Sequence, residues 1–347
     1  MELTWDWGTA YDLFMSLEVL HKPAKFGLRG AWAAGMRARL PADAREMLEQ
    51  ADSFVQIPLH WIHALPAPKD GAAVLWTLEQ VPSADRLAAL VLSPCEASDV
   101  VEVLHGVAAR RAWDEADQAA LQAKHKDKDK DAVVTALEWW SCPEEFGERY
   151  LAALEAYQEV FFAEEEKRVR PALQEALARA QELAERLELM DLIEELSQGL
   201  RLAELPEAAE LVLVPSYWVT PLVMFGSVCA ERQMWLFGAR PPDVSLVPGD
   251  PVPDVLLRAI KALSDPTRLR ILRYLGEESL TPSELARRLR LRAPTVIHHL
   301  KVLRLAGLVR LTLEKDKEKS RCAARSGAVA ATFASLKEFL VEEKPEE

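Results

Sequence analysis

Cysteine is scarce and scattered. The 347 residues hold four, Cys95, Cys142, Cys229 and Cys322, and no C-x-x-C pair. That spacing argues against a zinc ribbon or a disulfide framework and for reduced thiols in a cytoplasm. No apolar run approaches the ~20 residues needed to cross a bilayer, so no membrane partner is expected. The opening residues, MELTWDWGTAYDLF, carry neither the basic region nor the apolar stretch of a secretion signal, and the expected location is the cytoplasm. A glycine-rich phosphate loop, H-E-x-x-H and G-x-S-x-G are all missing. Nothing nominates a catalytic residue, and no enzyme, cofactor or bound metal is expected.

What is present is a soluble composition with an uneven charge. Half the residues are apolar and 28% are charged, and the net charge is −13. Residues 1–250 hold 23 Lys+Arg against 42 Asp+Glu, whereas residues 251–340 hold 18 against 9. A basic segment on an acidic protein fits a local attraction for a polyanion. All ten tryptophans lie before residue 241. Charge and aromatic content therefore change together near GARPPDVSLVPGDPVPD, and the proline-rich 241–253 reads as a linker. The length suits two domains: 1–240, and 254–341.

The first 240 residues read as mostly helical. TAYDLFMSLEVLHK puts Leu13, Leu17 and Leu20 on one face, and PADAREMLEQAD and SADRLAALVL read as short helices. Helical spacing continues from CPEEFGERYLAALEAYQEVFF to LELMDLIEELSQGL, with Pro171 expected to break or restart it. ELVLVPSYWVTPLVMF and QMWLFGA are β-branched and aromatic, which suggests a small antiparallel sheet of two or three strands. KHKDKDKD (124–131) reads as a solvated loop. His60 and His63 in HWIH are spaced to bridge a metal but lack a third ligand nearby, so a structural role is expected. Trp61, Trp76, Trp113 and the EWW of 138–140 suit either a plain core or an apolar ligand pocket.

The last hundred residues are more specific. PDVLLRAIKALSD aligns Leu256, Ile260 and Leu263 on one helix face. In SDPTRLRILRYLGEE, Asp265 is a good N-cap, Pro266 suits the first helical position and Gly276 is expected to end the helix. Leu269, Leu272 and Leu275 form its expected buried stripe. TPSELARRL has a capping box, Thr281 with Glu284, and a turn of about four residues leads to APTVIHHLKVLRLAGLV. Short helix, tight turn and longer basic helix make a helix-turn-helix. On a helical wheel Val296, Leu300 and Leu303 face the core, while His298 and Lys301 face outward, flanked by Ile297 and Arg304. His299 lies near the edge of the buried stripe, and Gly307 closes the helix. LVRLTLEKDKEKSRCAAR then reads as a hairpin with Lys315, Lys317, Lys319 and Arg321 near its tip, either a wing meeting phosphates or a solvated loop. The final helix aligns Val329, Phe333, Leu336 and Leu340, a stripe that needs a partner surface. The helix over 253–263 is the natural one, and two copies could bury both together.

ALSDPTRLRILRYL (262–275) and ELARRLRLRAPTVIHHLKVLRLAGLV (284–309) resemble the winged helix-turn-helix of the ArsR/SmtB family of bacterial transcription regulators. The resemblance covers about 90 of the 347 residues. It implies a homodimer formed through the first and last helices, a helix over 294–306 in the major groove, and a wing on the adjacent backbone. The preceding part resembles, more weakly, the long helical domain that precedes such modules in some bacterial regulators. The departures have consequences. Metal-sensing members carry cysteines where Thr281 and Ser283 stand, and hydroxyls do not replace thiolates for soft metals. The final helix has no histidine. Ile297 stands where members usually carry a small polar residue, Arg292 stands at the cap, and the wing lacks the usual glycine turn.

The expected fold is mainly α with a small β component: a helical N-terminal domain with a small sheet, then a winged helix-turn-helix. The expected partners are double-stranded DNA and a second copy of the chain. Thr295, His298 and Lys301 are candidates for base edges, with Ile297 beside them. Arg287, Arg288, Arg290, Arg292, Arg304 and the wing cations are candidates for phosphates. The N-terminal domain is expected to sense a small molecule or to strengthen the dimer. Two other classes stay open: a winged helix docking an acidic protein, and a regulatory appendage on an enzyme.

Overall fold

The computed structural model describes residues 1–28, 30–124, 129–205, 207–245, 252–314 and 320–341. The chain forms two compact units. The first comprises Met1–Glu175, Glu207–Val219 and Met224–Leu236; the second comprises Ala176–Pro206, Thr220–Val223 and Phe237–Glu347. Two segments that precede residue 240, Ala176–Pro206 and Thr220–Val223, thus group with the last hundred residues. Of the proline-rich stretch, 246–251 lie outside the described residues, as do 125–128 of the charged loop.

In the first unit, strands β1 (Glu2–Trp5), β3 (Glu210–Ser216), β4 (Met224–Cys229) and β5 (Arg232–Gly238) form one sheet in the order β1-β3-β5-β4. β4 and β5 pair antiparallel, but β1 runs parallel to β3, in register Glu2↔Glu210 to Trp5↔Leu213. The sheet is thus mixed and larger than the antiparallel one expected. Four residues of ELTW are too short to show a period, and their partner lies some two hundred residues away.

The helix Thr9–His21 is buried at eleven of its thirteen positions. Asp12 lies within it, fully buried, and accepts hydrogen bonds from Ser216 Oγ (2.6 Å) and from the backbone N–H groups of Tyr217 (3.0 Å) and Trp218 (3.0 Å). A carboxylate here serves the turn that ends β3. Around this centre, Gly147 lets the helix Pro143–Tyr157 approach Ser83–Val91, since a Cβ would stand 2.0 Å from the Ser83 carbonyl oxygen. Pro171 does not break the chain's helix: Ala163–Ala184 runs continuously through it, preceded by a π-helical turn over Gln158–Phe162. One missing N–H donor costs less than the packing of this long amphipathic helix supplies.

The second unit contains helices Asp254–Leu263, Pro266–Glu277, Pro282–Leu289, Ala293–Leu305 and Ser326–Val341, with strands β6 (Val309–Leu313) and β7 (Arg321–Ala324) between the last two helices. β6 and β7 pair antiparallel. The edge of β6 is then covered by β2 (Leu200–Leu202), which pairs parallel to it in register Leu200↔Leu311 to Leu202↔Leu313. The core gathers Ile271, Leu275, Leu285, Leu289, Val296, Leu300, Leu303 and Cys322. Ile271 and Leu275, spaced i and i+4, are the buried line of their helix, and Leu269 is 48% exposed, so the stripe is rotated from the expected one.

The caps follow the local sequence. Asp265 accepts from the Arg268 N–H (2.9 Å), and Thr281 and Glu284 form a reciprocal capping box (3.2 and 2.7 Å). Gly276 does not end its helix, which continues to Glu277. Gly307 does close the helix Ala293–Leu305, at φ +69°, where a side chain would be strained. Thr281→Ala removes one bond of the box and strands its partner. The expected loss is about 1 kcal/mol, read as a lower urea midpoint for the transition of this unit.

Candidate nucleic-acid interface

Pro282–Leu289 and Ala293–Leu305 are joined by Arg290, Leu291 and Arg292. Arg290 adopts a left-handed conformation (φ 56°), which turns the chain sharply between the helices. Val296, Leu300 and Leu303 then enter the core, as their spacing predicts. The opposite side of Ala293–Leu305 stays in solvent, with Thr295, Ile297, His298 and Lys301 exposed. Ile297 is 53% exposed, so an apolar side chain stands among polar ones on this face. His299 is half-buried and sets its ring 5.9 Å from that of His298.

The arginines divide into two groups. Arg287, Arg290 and Arg292 are exposed and form no ion pair among the described residues. They cluster at the end of the shorter helix and at the start of the longer one. Arg288 is exposed too, but its guanidinium pairs with Glu278 (2.6 Å) and lies over the Tyr274 ring, so part of its charge is already compensated.

Two further cations expected to meet phosphates are held elsewhere. Arg304 is half-buried, and its Nη2 donates to the Ser197 carbonyl oxygen (3.1 Å). Burial, and then the nearby Arg325, lower its pKa. Freeing it for a phosphate would break that contact and expose an unpaired carbonyl. Arg321 donates to the Ser279 carbonyl oxygen and lies 3.6 Å from Glu284. Lys315, Lys317 and Lys319 lie outside the described residues.

The residues expected at a dimer contact also divide. Leu256 is 7% exposed and therefore already covered, while Leu263 and Val329 pack against the second unit's core. Ile260 and Leu336 are half-buried. Phe333, Leu340 and Val341 on the last helix are 57%, 71% and 68% exposed. The first helix of the module does meet the last one, but inside one chain.

Local sequence reading missed the segment that leads into β2. Glu194, on the helix Leu189–Leu196, pairs with Arg310 (3.1 Å) and with Arg201 (2.8 Å). Arg325 donates to the carbonyl oxygens of Gln198 (3.1 Å) and Gly307 (3.0 Å). The segment thus ties down the end of the outward-facing helix and the first strand of the hairpin. Its only local sign is an amphipathic helix followed by SQG, where Gly199 has φ +103°.

No group of three His, Cys, Asp or Glu suited to a metal occurs among the described residues. Thr281 is a helix cap, and Cys322 is a core residue whose thiol pKa burial pushes up to about 11. His60 bonds the Ala89 carbonyl oxygen (3.1 Å) and His63 bonds Asp6 (2.9 Å), both structural contacts. No described helix is long and apolar enough to cross a membrane.

The sequence model of a family described as a helix-turn-helix domain matches residues 263–312. Those residues are a helix-turn-helix domain. A solved structure described as an ArsR family transcriptional regulator is 29% identical, over 26% of this chain and 96% of its own, with a TM-score of 0.22. No curated protein matches the chain.

Proposed function

We propose that this chain is a transcription regulator of the ArsR kind, a homodimer that lays Ala293–Leu305 in the major groove of an operator. The observation that carries this reading is the solvent-open face of that helix, flanked by the exposed Arg287, Arg290 and Arg292. Side chains on such a face reach base edges, and the flanking guanidinium groups hold the register on phosphates. Thr295, His298 and Lys301 are the base-reading candidates. Ile297 offers an apolar contact of the kind a thymine methyl accepts. The hairpin β6–β7 is the wing and follows the neighbouring backbone. Phe333, Leu340 and Val341 supply apolar surface that a second copy would cover. A two-fold dimer reads a pseudo-palindrome with half-sites ~34–36 Å apart. The first unit is the sensor, and the chain has no chemistry of its own.

Selection of bound duplexes from a random DNA pool, followed by competition with non-specific DNA, tests the reading. An enriched pseudo-palindrome is the expected product. Lys301→Ala should weaken the selected site by ~1–3 kcal/mol and leave non-specific binding almost unchanged. Equal weakening on all sequences would move Lys301 to the phosphate group. No enrichment, together with binding to acidic proteins, would favour a protein-docking module.

A further inference from the structure

The first unit contains a cleft of about 670 Å³; of the tryptophans weighed for an apolar pocket, Trp140 lines it, and Trp61, Trp76, Trp113 and Trp139 do not. Its size falls in the range of small-molecule sites. Phe54, Leu104, Leu121, Val133, Trp140 and Met224 form apolar walls. Phe225 also lines it, yet is 57% exposed, an aromatic face left in water. One rim is charged, with Glu18 and Asp52 against Lys22 and Lys25, and Glu96 adds a further carboxylate to the lining.

The pairing on that rim decides the sign of a ligand. Lys22 Nζ donates to Glu18 (2.8 Å), to the Asp52 carboxylate (3.2 Å) and to the Asp52 carbonyl oxygen (3.4 Å). Lys25 Nζ donates to Glu18 (2.9 Å). Both rim cations are thus committed to carboxylates, whereas Glu96 forms no ion pair among the described residues. An incoming anion meets ammonium groups whose charge carboxylates already offset. An incoming cation meets a surplus carboxylate and aromatic faces, which attract cations through the ring quadrupole. Burial raises the Asp52 pKa, so a second cation beside it relieves a cost already present.

We propose that this cleft binds a lipophilic organic cation, an aromatic body carrying one basic or quaternary nitrogen. This names the effector class for the sensor role proposed above. The assay contains no DNA, so its failure leaves the DNA-binding reading standing, and the reverse also holds.

The test is fluorescence anisotropy of the full chain with three dyes: rhodamine 6G (cationic), fluorescein (anionic) and Nile red (neutral). The first two share a xanthene core and differ in sign of charge, and Nile red controls for lipophilicity. Rhodamine 6G is expected to bind at least about tenfold more tightly than fluorescein, the equivalent of ~1.4 kcal/mol. Ala136→Trp, which fills the cleft from its wall, should abolish saturable binding with the far-UV circular dichroism unchanged. Glu96→Gln and Asp52→Asn should each weaken rhodamine 6G by ~3–10-fold and leave Nile red alone. Glu96 keeps the test valid should Asp52→Asn unfold the unit. Equal binding of all three dyes, tighter fluorescein, or rhodamine 6G binding that survives Ala136→Trp would each overturn the proposal.

Discussion

Replacing Arg287, Arg290 and Arg292 together by alanine is expected to remove about 2.7 from the slope of log K against log salt, at ~0.9 per phosphate contact. Over a fourfold rise in salt this corresponds to ~40-fold: the wild type should lose that much more affinity than the triple variant. These three are chosen because they are exposed and form no ion pair among the described residues, so the folded chain should tolerate their loss. Arg288→Ala should matter less, since Glu278 already offsets its charge. The loss should fall on all sequences alike, because phosphates carry no base identity. Filter binding at several salt concentrations reads both slopes. An unchanged slope would place these arginines away from the duplex and sink the proposed docking.

The second large effect concerns Asp12. Asp12→Ala leaves the Ser216 hydroxyl and the N–H groups of Tyr217 and Trp218 buried without their acceptor. At ~1–3 kcal/mol for each stranded group, the first unit should lose several kcal/mol. The charge itself has the opposite sign of effect. Burial pushes the Asp12 pKa up to about 6 from 3.8, against the lowering effect of its three donors, with Glu165 adding to the rise. The folded value lies above the unfolded one, so the folded chain holds the extra proton. That contribution is complete below the unfolded pKa of 3.8 and lost as pH rises through about 6. Its size is ~3 kcal/mol at 1.36 kcal/mol per pKa unit. Urea unfolding of wild type and Asp12→Asn from pH 4 to 7 isolates it, since asparagine does not titrate. The wild type should weaken relative to the variant as pH rises. A difference that stays level across this range would show that Asp12 keeps an ordinary carboxylate pKa in the fold.

The two effects differ in how far they could be foreseen. Arg287, Arg290 and Arg292 follow from counting residues around short helices with strong caps. Asp12 shows no such sign, because TAYDLFMS reads as an ordinary amphipathic helix with a polar position. Only the return of β3 some two hundred residues later brings Ser216, Tyr217 and Trp218 onto it. Arg304 makes the same point in reverse. Its place on the wheel is correct, but the Ser197 carbonyl, far away in sequence, takes its guanidinium.

Local sequence alone determined the helix-turn-helix: Asp265, Pro266, Thr281, Glu284 and Gly307 act within a few residues of themselves, and Val296, Leu300 and Leu303 sort by the helical period. Tertiary structure decided the rest: the parallel pairing of β1, the addition of β2 to the hairpin sheet, the cleft beside Asp52 and the withdrawal of Arg304 and Arg321. The reason is range. Caps and periods depend on neighbours along the chain, whereas strand pairing, buried charge and cleft walls depend on groups that only folding brings together.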